Sequence, residues 1–162
     1  MVRLVPMTDT EFHEFVERTL LDYARDKVAS GEWTAAESVE RSRAEFDRLL
    51  PQGLATPDQY LFTLKDDARD ERVGDLWFAV RRPPMPPGGF IYDIFIDAAH
   101  RRKGHAEAAL RALEPFARAH GAETIGLHVF GYNHGAITLY QKVGYETTNL
   151  LMRKTLDGRT AP

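Results

Sequence analysis

Residues 100–110 read HRRKGHAEAAL, where three consecutive cationic side chains run into Gly104 and a helical pattern of small residues follows. The preceding run FIYDIFI, at 90–96, has the β-branched and aromatic content of a strand. Gly104 therefore falls between the end of a strand and the start of a helix, where free backbone N–H groups and the helix dipole favour an anion. Because glycine permits close backbone approach, the stretch predicts a cradle for a phosphate or pyrophosphate.

Three cations, Arg101, Arg102 and Lys103, can add charge around the same anion. Two other interpretations of this cluster are a solvated basic surface and a nucleic-acid contact. No set of aromatic residues for base stacking flanks the cluster, and the chain has 21 Lys and Arg against 24 Asp and Glu. With a formal net charge of −3, no global field draws the chain to nucleic acid or to an anionic membrane.

Outward from this stretch, the pattern predicts alternating helices and strands around a mixed sheet. Capping boxes begin two early helices, one from Thr8 to the Ser30–Gly31 stop and one from Thr34 to Pro51. Helical spacing returns at 106–117 and at about 135–142. The predicted strands are 2–7, 60–64, 73–80, 90–96, 124–130 and a last one near 149–156. Strand 90–96, the helix after it and strand 124–130 form a βαβ unit, so these two strands are expected to be parallel.

Two motifs then define a resemblance. Residues 101–106 read R-x-x-G-x-A, whereas the phosphate motifs G-x-x-x-x-G-K-[ST] and G-x-G-x-x-G after a strand are absent. The pattern resembles the acetyl-CoA signature [RQ]-x-x-G-x-[GA] of the GNAT superfamily of N-acetyltransferases. NHGAITLYQKVGY at 133–145 is similar to the family's second signature, N-x-x-A-x-x-L-Y-x-x-x-G-[FY]. The matching residues are Asn133, Ala136, Leu139, Tyr140, Gly144 and Tyr145. LPQGL, GFIYDIFID and LHVFGYN also resemble a subgroup of small bacterial members of this family.

The resemblance implies one α/β domain of the α+β type over residues 1–162. Its mixed sheet would have about six or seven strands flanked by about four helices, with the parallel fourth and fifth strands splayed apart. It also implies that acetyl-CoA is the cosubstrate, with pantetheine along the fourth strand and pyrophosphate at the helix start. The implied binding residues are Ile94, Phe95, Ile96, Arg101, Arg102, Lys103, Gly104, His105, Ala106, Glu107 and Asn133.

The resemblance implies direct transfer of an acetyl group to a primary amine, with Tyr140 as the general acid for the departing thiolate. A phenol with a pKa near 10 can donate to a sulfur whose conjugate acid lies near 8.5. From spacing alone Tyr140 is equally well an aromatic core residue, and Asn133 a turn former. His128 lies where some family members carry a general base, and its imidazole can accept a proton from an ammonium group. A structural role for His128 is the alternative.

The resemblance implies that the first two helices and the loop after them wall the acceptor site, which would include Tyr23, Trp33 and Trp77. Tyr92 and Asp93 interrupt an apolar strand, and a charged residue there needs a partner or a function. Strand alternation predicts that these two side chains point to opposite faces and do not serve one substrate. A polyamine, an amino acid, an antibiotic, a peptide N-terminus and a protein lysine all remain open as acceptors.

Other features exclude whole classes of chemistry. The chain has no cysteine, which excludes disulfides and thiolate nucleophiles, and its six histidines include no pair at zinc-motif spacing, so no metal is expected. The first residues lack the apolar core of a secretory signal and no apolar run is long enough to span a bilayer, so a soluble cytoplasmic protein is expected. A monomer or a homodimer is expected as its oligomeric state. Two alternatives to acetyl transfer remain: an acyl-CoA-binding sensor without turnover, and transfer of another acyl group.

Overall fold

The computed structural model describes residues 1–85, 87–154 and 156. Within these residues a single mixed sheet has five strands in the order β1-β2-β3-β4-β5. The strands are β1 Val2–Pro6, β2 Gln59–Asp66, β3 Glu71–Arg81, β4 Gly88–Ile96 and β5 Ile125–Leu127. Strands β1 to β4 pair with one another in antiparallel fashion, and β4 pairs with β5 in parallel. The fold class and the parallel pair are confirmed, whereas the expected six or seven strands are too many for the described residues.

Four helices flank the sheet: α1 Asp9–Ala29, α2 Ala35–Leu49, α3 His105–Ala119 and α4 His134–Lys142. The first capping box forms as predicted, because the Thr8 hydroxyl accepts from the Glu11 N–H at 3.3 Å and the Glu11 carboxylate accepts from the Thr8 N–H at 2.8 Å. At the start of α2 the Glu37 carboxylate accepts from the Thr34 N–H at 3.3 Å. Local capping therefore fixes where both early helices begin.

Two apolar clusters lie on opposite faces of the sheet. On one face α3 buries Leu110 and Leu113 against Phe78 and its neighbours. On the other face α1 and α2 bury Phe15 and Phe46 around Trp77 of β3. Alternate residues of a strand point to opposite faces, so adjacent Trp77 and Phe78 serve the two clusters. The sheet is thus covered by helices on both sides.

The β4–β5 pair separates part of the way along β4. Paired positions are Gly89–Ile125, Phe90–Gly126 and Ile91–Leu127, after which β5 ends while β4 continues to Ile96. Five residues of β4, 92–96, therefore have no β5 partner. This divergence confirms the splay expected between the two parallel strands, and it leaves one edge of β4 open.

A β-bulge interrupts β4 at Tyr92. Phe78 pairs with Ile91 and Trp77 pairs with Asp93, so Tyr92 is an extra residue opposite β3. A bulge breaks the strict alternation of side chains and bends the strand. The prediction that Tyr92 and Asp93 serve different faces is therefore wrong, as the site below shows.

The two C-terminal strand predictions are corrected. The predicted strand 124–130 forms only over 125–127. Residues 149–154 are not in a strand, and residue 155 lies outside the described residues. Leu150, Leu151 and Met152 are 80%, 94% and 87% exposed, so no sheet face buries them. Other segments of apolar, strand-like composition form strands because a neighbouring strand pairs with them. Residues 149–154 have no such neighbour among the described residues.

Candidate functional site

The loop before α3 has the form of an anion cradle. Arg102 and Gly104 both adopt a positive φ, of 62° and 83°, and Gly104 is the N-cap of α3. Within the described part of the chain, the backbone N–H groups of residues 102–107 donate to no protein acceptor. The first intrahelical bond runs from the Ala108 N–H to the Gly104 carbonyl at 3.0 Å. Six backbone donors are therefore free of protein acceptors at and just before a helix N-terminus, a place that favours phosphate groups.

The cations around the cradle are more constrained than the sequence suggests. Arg101 Nε donates to the Ile96 carbonyl at 2.9 Å, and the guanidinium lies 5.3 Å from the Phe95 ring centre. Lys103 Nζ donates to the Ala99 carbonyl at 2.8 Å. Two of the three predicted cations thus brace the loop through backbone carbonyls, so the amides are the main donors that the loop presents.

Glu107, predicted as part of the cradle, uses its side chain to join two helices. Its carboxylate accepts from Lys142 Nζ of α4 at 2.6 Å and from Arg111 of α3 at 3.1 Å. The hydrogen bond from Lys142, followed by that from Arg111, lowers the pKa of this carboxyl. Only the backbone N–H of Glu107 is therefore available to the cradle.

A cavity of about 460 Å³ lies between α1, α2, the bulged part of β4 and the end of β5. It brings together most of the side chains that the sequence predicted for catalysis and for the acceptor. The predicted residues that line it are Tyr23, Trp77, Tyr92, Asp93, Ile94, His128, Asn133 and Tyr140. Trp33 does not line it and packs edge-on against Tyr23 at 5.4 Å. Because of the bulge, Tyr92 and Asp93 both line this one cavity.

Tyr140 of α4 is partly buried at the cavity wall. Burial, with a smaller contribution from the Asp93 charge, raises the pKa of its phenol to about 12. Its ring centre is 5.7 Å from that of Tyr145, which also has a pKa raised to about 12 by burial but does not line the cavity. Tyr140 is therefore a protonated phenol on the cavity wall at neutral pH.

Asp93 is held by an arginine that the sequence did not single out. Arg18 of α1 donates to Asp93 at 3.1 Å and to the fully buried Asp75 of β3 at 3.3 Å. The same guanidinium lies 3.9 Å from the centre of the Phe95 ring. Burial raises the pKa of both carboxyls; the Arg18 charge opposes this at Asp93, whereas at Asp75 Arg72 opposes it more strongly than Arg18 does. Arg18 thereby ties α1 to the two strands beside the cavity.

A sequence signal for Arg18 existed. It lies three residues after Phe15, on the stripe of α1 that packs against the sheet, where an arginine is unusual unless it is paired. Its partners, Asp75 and Asp93, are 57 and 75 residues away, and no spacing rule joins them.

His128 and Asn133 lie at the exposed rim of the cavity. The Asn133 side-chain oxygen accepts from the Ala136 N–H at 3.2 Å, so this residue caps α4. Capping uses only the oxygen, which leaves the amide donors of Asn133 for another contact. The His128 ring packs edge-on against Phe130 at 5.1 Å. Asn133 therefore has a structural role as the cap of α4, and its side-chain NH₂ group can still contact another molecule.

The described residues show neither a metal-binding cluster nor a membrane-spanning helix. They contain no group of three or more His, Asp or Glu side chains that could hold a metal ion. None of the helices seen in 1–85, 87–154 and 156 combines the length and apolarity needed to span a bilayer.

Comparison with known proteins gives consistent matches. Residues 18–145 match the family model described as "Acetyltransferase (GNAT) family". The chain is 38% identical over 155 residues to the "Uncharacterized N-acetyltransferase YdgE" of Bacillus subtilis (strain 168), covering 94% of this chain and 97% of that protein. It is 37% identical over 155 residues to the "Uncharacterized N-acetyltransferase YycN" of the same strain, covering 96% and 99%. The crystal structure of YycN superposes with a TM-score of 0.89 at 36% identity, over 96% of this chain and 99% of that one.

Proposed function

The chain belongs to the GNAT acetyltransferase family and is an acyltransferase, and from this premise we propose that it transfers an acetyl group from acetyl-CoA directly to a primary amine. The observation that carries the proposal is the course of β4. This strand lines the cavity at Tyr92, Asp93 and Ile94, runs on without a β5 partner, and is followed by the cradle at 102–107. One continuous path thus joins a cavity wall to a set of anion donors.

The residues present fit coenzyme A chemically. A pyrophosphate needs several N–H donors, and the cradle offers six that have no protein acceptor among the described residues. The open edge of β4 suits the amide groups of a pantetheine arm in the way that a sheet edge accepts an added strand. Acetyl-CoA would supply the acetyl group in activated form, as a thioester. Ile94, Phe95 and Ile96 would hold the arm through their backbones, with an Asn133 amide donor at the cavity rim.

The cavity residues have separate roles in the proposed transfer. A backbone N–H of β4 polarises the carbonyl that the amine attacks. Tyr140 Oη donates its proton to the departing sulfur, and its pKa of about 12 ensures that the proton is present at neutral pH. His128 at the rim accepts the proton that an ammonium group must lose before it can attack. Holding both reactants in one cavity removes much of the entropic cost of the reaction.

The experiment is a free-thiol assay with acetyl-CoA and a panel of amines. The parent is expected to release coenzyme A in an amine-dependent way, and Tyr140→Phe to lower kcat by about 10²–10⁴-fold, the usual contribution of a general acid. Tyr145→Phe is the matched control, because this neighbouring tyrosine has a similarly raised pKa but lies off the cavity. It is expected to retain activity.

The two alternatives give different results in the same experiment. A sensor would bind coenzyme A without amine-dependent thiol release, and Tyr140→Phe would change nothing. An enzyme for another acyl group would show a larger thermal shift and faster thiol release with propionyl- or succinyl-CoA than with acetyl-CoA. Either result would replace the proposed reaction.

A further inference from the structure

Arg81, the last residue of β3, is held in an unusual position on the cavity wall. Its guanidinium carbon lies over two aromatic rings of β4, 3.4 Å from the centre of the Phe90 ring and 5.3 Å from that of Tyr92. Its only side-chain hydrogen bond within the described chain is a long one of 3.4 Å to the Tyr92 hydroxyl. Stacking on aromatic faces fixes the direction of the guanidinium and keeps its planar donor edge available.

The other lysine and arginine side chains on the cavity wall are already neutralised. Lys27 Nζ lies 2.5 Å from a Glu32 carboxylate oxygen, and Arg48 lies 3.5 Å from Glu45. Arg81, by contrast, has no carboxylate within 4.0 Å among residues 1–85, 87–154 and 156. Its Nε is buried and has no hydrogen-bond partner there. An arginine beside a cavity without a counter-charge is a favourable place for an incoming anion.

Asp22 and Asp93 of the cavity are the reverse case, because each is paired with an arginine, and Asp26 accepts from a neutral hydroxyl. Asp22 accepts from Arg25 at 2.7 Å, Asp26 from the Tyr132 hydroxyl at 3.0 Å, and Asp93 from Arg18 at 3.1 Å. A polycationic acceptor would have to compete with these contacts. A carboxylate on the acceptor would meet a cation that has no competing partner.

We infer that Arg81 binds a carboxylate of the acceptor, so that the acceptor is an amine that also carries a carboxylate. This inference rests on the proposed function, because it concerns the acceptor of that reaction. Because Tyr92 is bulged, Phe90 and Asp93 lie opposite Ala79 and Trp77, two positions apart on β3, which is about 7 Å along a strand. Tyr140 and Asp93 mark the reacting end of the cavity. The carboxylate therefore lies several bonds from the amine, as in an ω-amino acid, a side-chain amine of a free amino acid or a short peptide.

The test compares three amines of one length: 6-aminohexanoate, hexylamine and 1,6-diaminohexane. The parent is expected to show a kcat/KM for 6-aminohexanoate about 10- to 100-fold above that for hexylamine, the usual effect of one charge-assisted contact. Arg81→Met removes the cation and is expected to abolish this ratio. Arg48→Met removes a cavity arginine that is already paired, and the ratio is expected to remain.

A second measurement, of thermal stability, does not depend on turnover. The Tm of the protein saturated with coenzyme A is expected to rise more on addition of 6-aminohexanoate than on addition of hexylamine. Arg81→Met is expected to remove this difference in Tm. If the amines are acetylated without a preference for the carboxylate, or if 1,6-diaminohexane is preferred, the inference fails while the proposed function stands. If no amine is acetylated but the thermal difference is present and needs Arg81, the proposed function fails and the carboxylate site stands. Loss of the thermal difference in Arg48→Met as well would also overturn the assignment to Arg81.

Discussion

Gly104 and Gly121 lie at the two ends of α3 with nearly identical φ angles, and this pair gives a sharp test of the cradle. Their φ angles are +83° and +84°, and at neither position would an added Cβ meet another atom within 4 Å. An alanine at either site is therefore strained by its backbone alone, at about 1–2 kcal/mol. For a chain of this size that cost lowers Tm by about 2–8 °C. Both Gly104→Ala and Gly121→Ala are expected to show this loss.

Only Gly104 belongs to the cradle, so only its variant is expected to lose coenzyme A. We expect a change of backbone angle at Gly104 to shift the neighbouring amides of 102–107, which have no protein acceptor among the described residues. A hydrogen bond to a charged group contributes about 1.5–3 kcal/mol, so the loss of one weakens binding by about 10- to 150-fold. Isothermal titration with coenzyme A measures this, and Gly121→Ala is expected to bind as the parent does.

Lys103→Ala separates the amides from the side-chain charge. Because its Nζ is exposed and donates to the Ala99 carbonyl, its loss is expected to weaken binding only about 2- to 5-fold. A greater loss in Lys103→Ala than in Gly104→Ala would refute the reasoning, as charge would then dominate. An equal loss in Gly104→Ala and Gly121→Ala would also refute it, as general destabilisation would explain both.

Other perturbations follow from the same contacts. Arg18→Met leaves the partly buried Asp93 without its arginine and is expected to lower the free energy of unfolding in urea by about 3 kcal/mol. Arg25→Met, at a side chain 73% exposed, is expected to change it by no more than about 0.5 kcal/mol. Equal losses in the two variants would contradict the role given to Arg18. Thr8→Ala removes the α1 cap and is expected to cost about 1 kcal/mol in the same assay; no change would show that the cap is dispensable. Because the folded pKa of Tyr140, about 12, lies above that of a free phenol, its stabilising contribution is complete below about pH 10 and is lost as pH rises towards 12. Tyr140 therefore keeps its proton at pH 9. The plot of kcat against pH is expected to show no fall near pH 9 that depends on Tyr140, which comparison with Tyr140→Phe checks.

Features that depend on a few neighbouring residues could be predicted from the sequence. Thr8 and Glu11 satisfy each other's backbone and side-chain groups three residues apart, so the start of α1 needed no tertiary information. Gly104 likewise lies at a junction whose chemistry is set by the strand before it and the helix after it. The parallel pairing of β4 with β5 also followed from the sequence, because a helix between two strands is typical of a parallel pair.

Features that depend on distant partners could not be predicted. The bulge at Tyr92 arises from the register against β3 and places Asp93 and Tyr92 at one cavity, which alternation alone forbids. The ion pairs of Arg18 join residues 57 and 75 positions apart. The segment 149–154 has the composition of a strand, but composition does not supply the neighbouring strand that pairing requires.

The most direct test of the central claim is mass spectrometry of the amine after incubation with acetyl-CoA and the purified protein. The proposed function predicts an amine that gains one acetyl group in step with thiol release, at a rate that falls by about 10²–10⁴-fold in Tyr140→Phe while coenzyme A affinity is retained. Thiol release with no acetylated amine, or an undiminished rate in Tyr140→Phe, would contradict it.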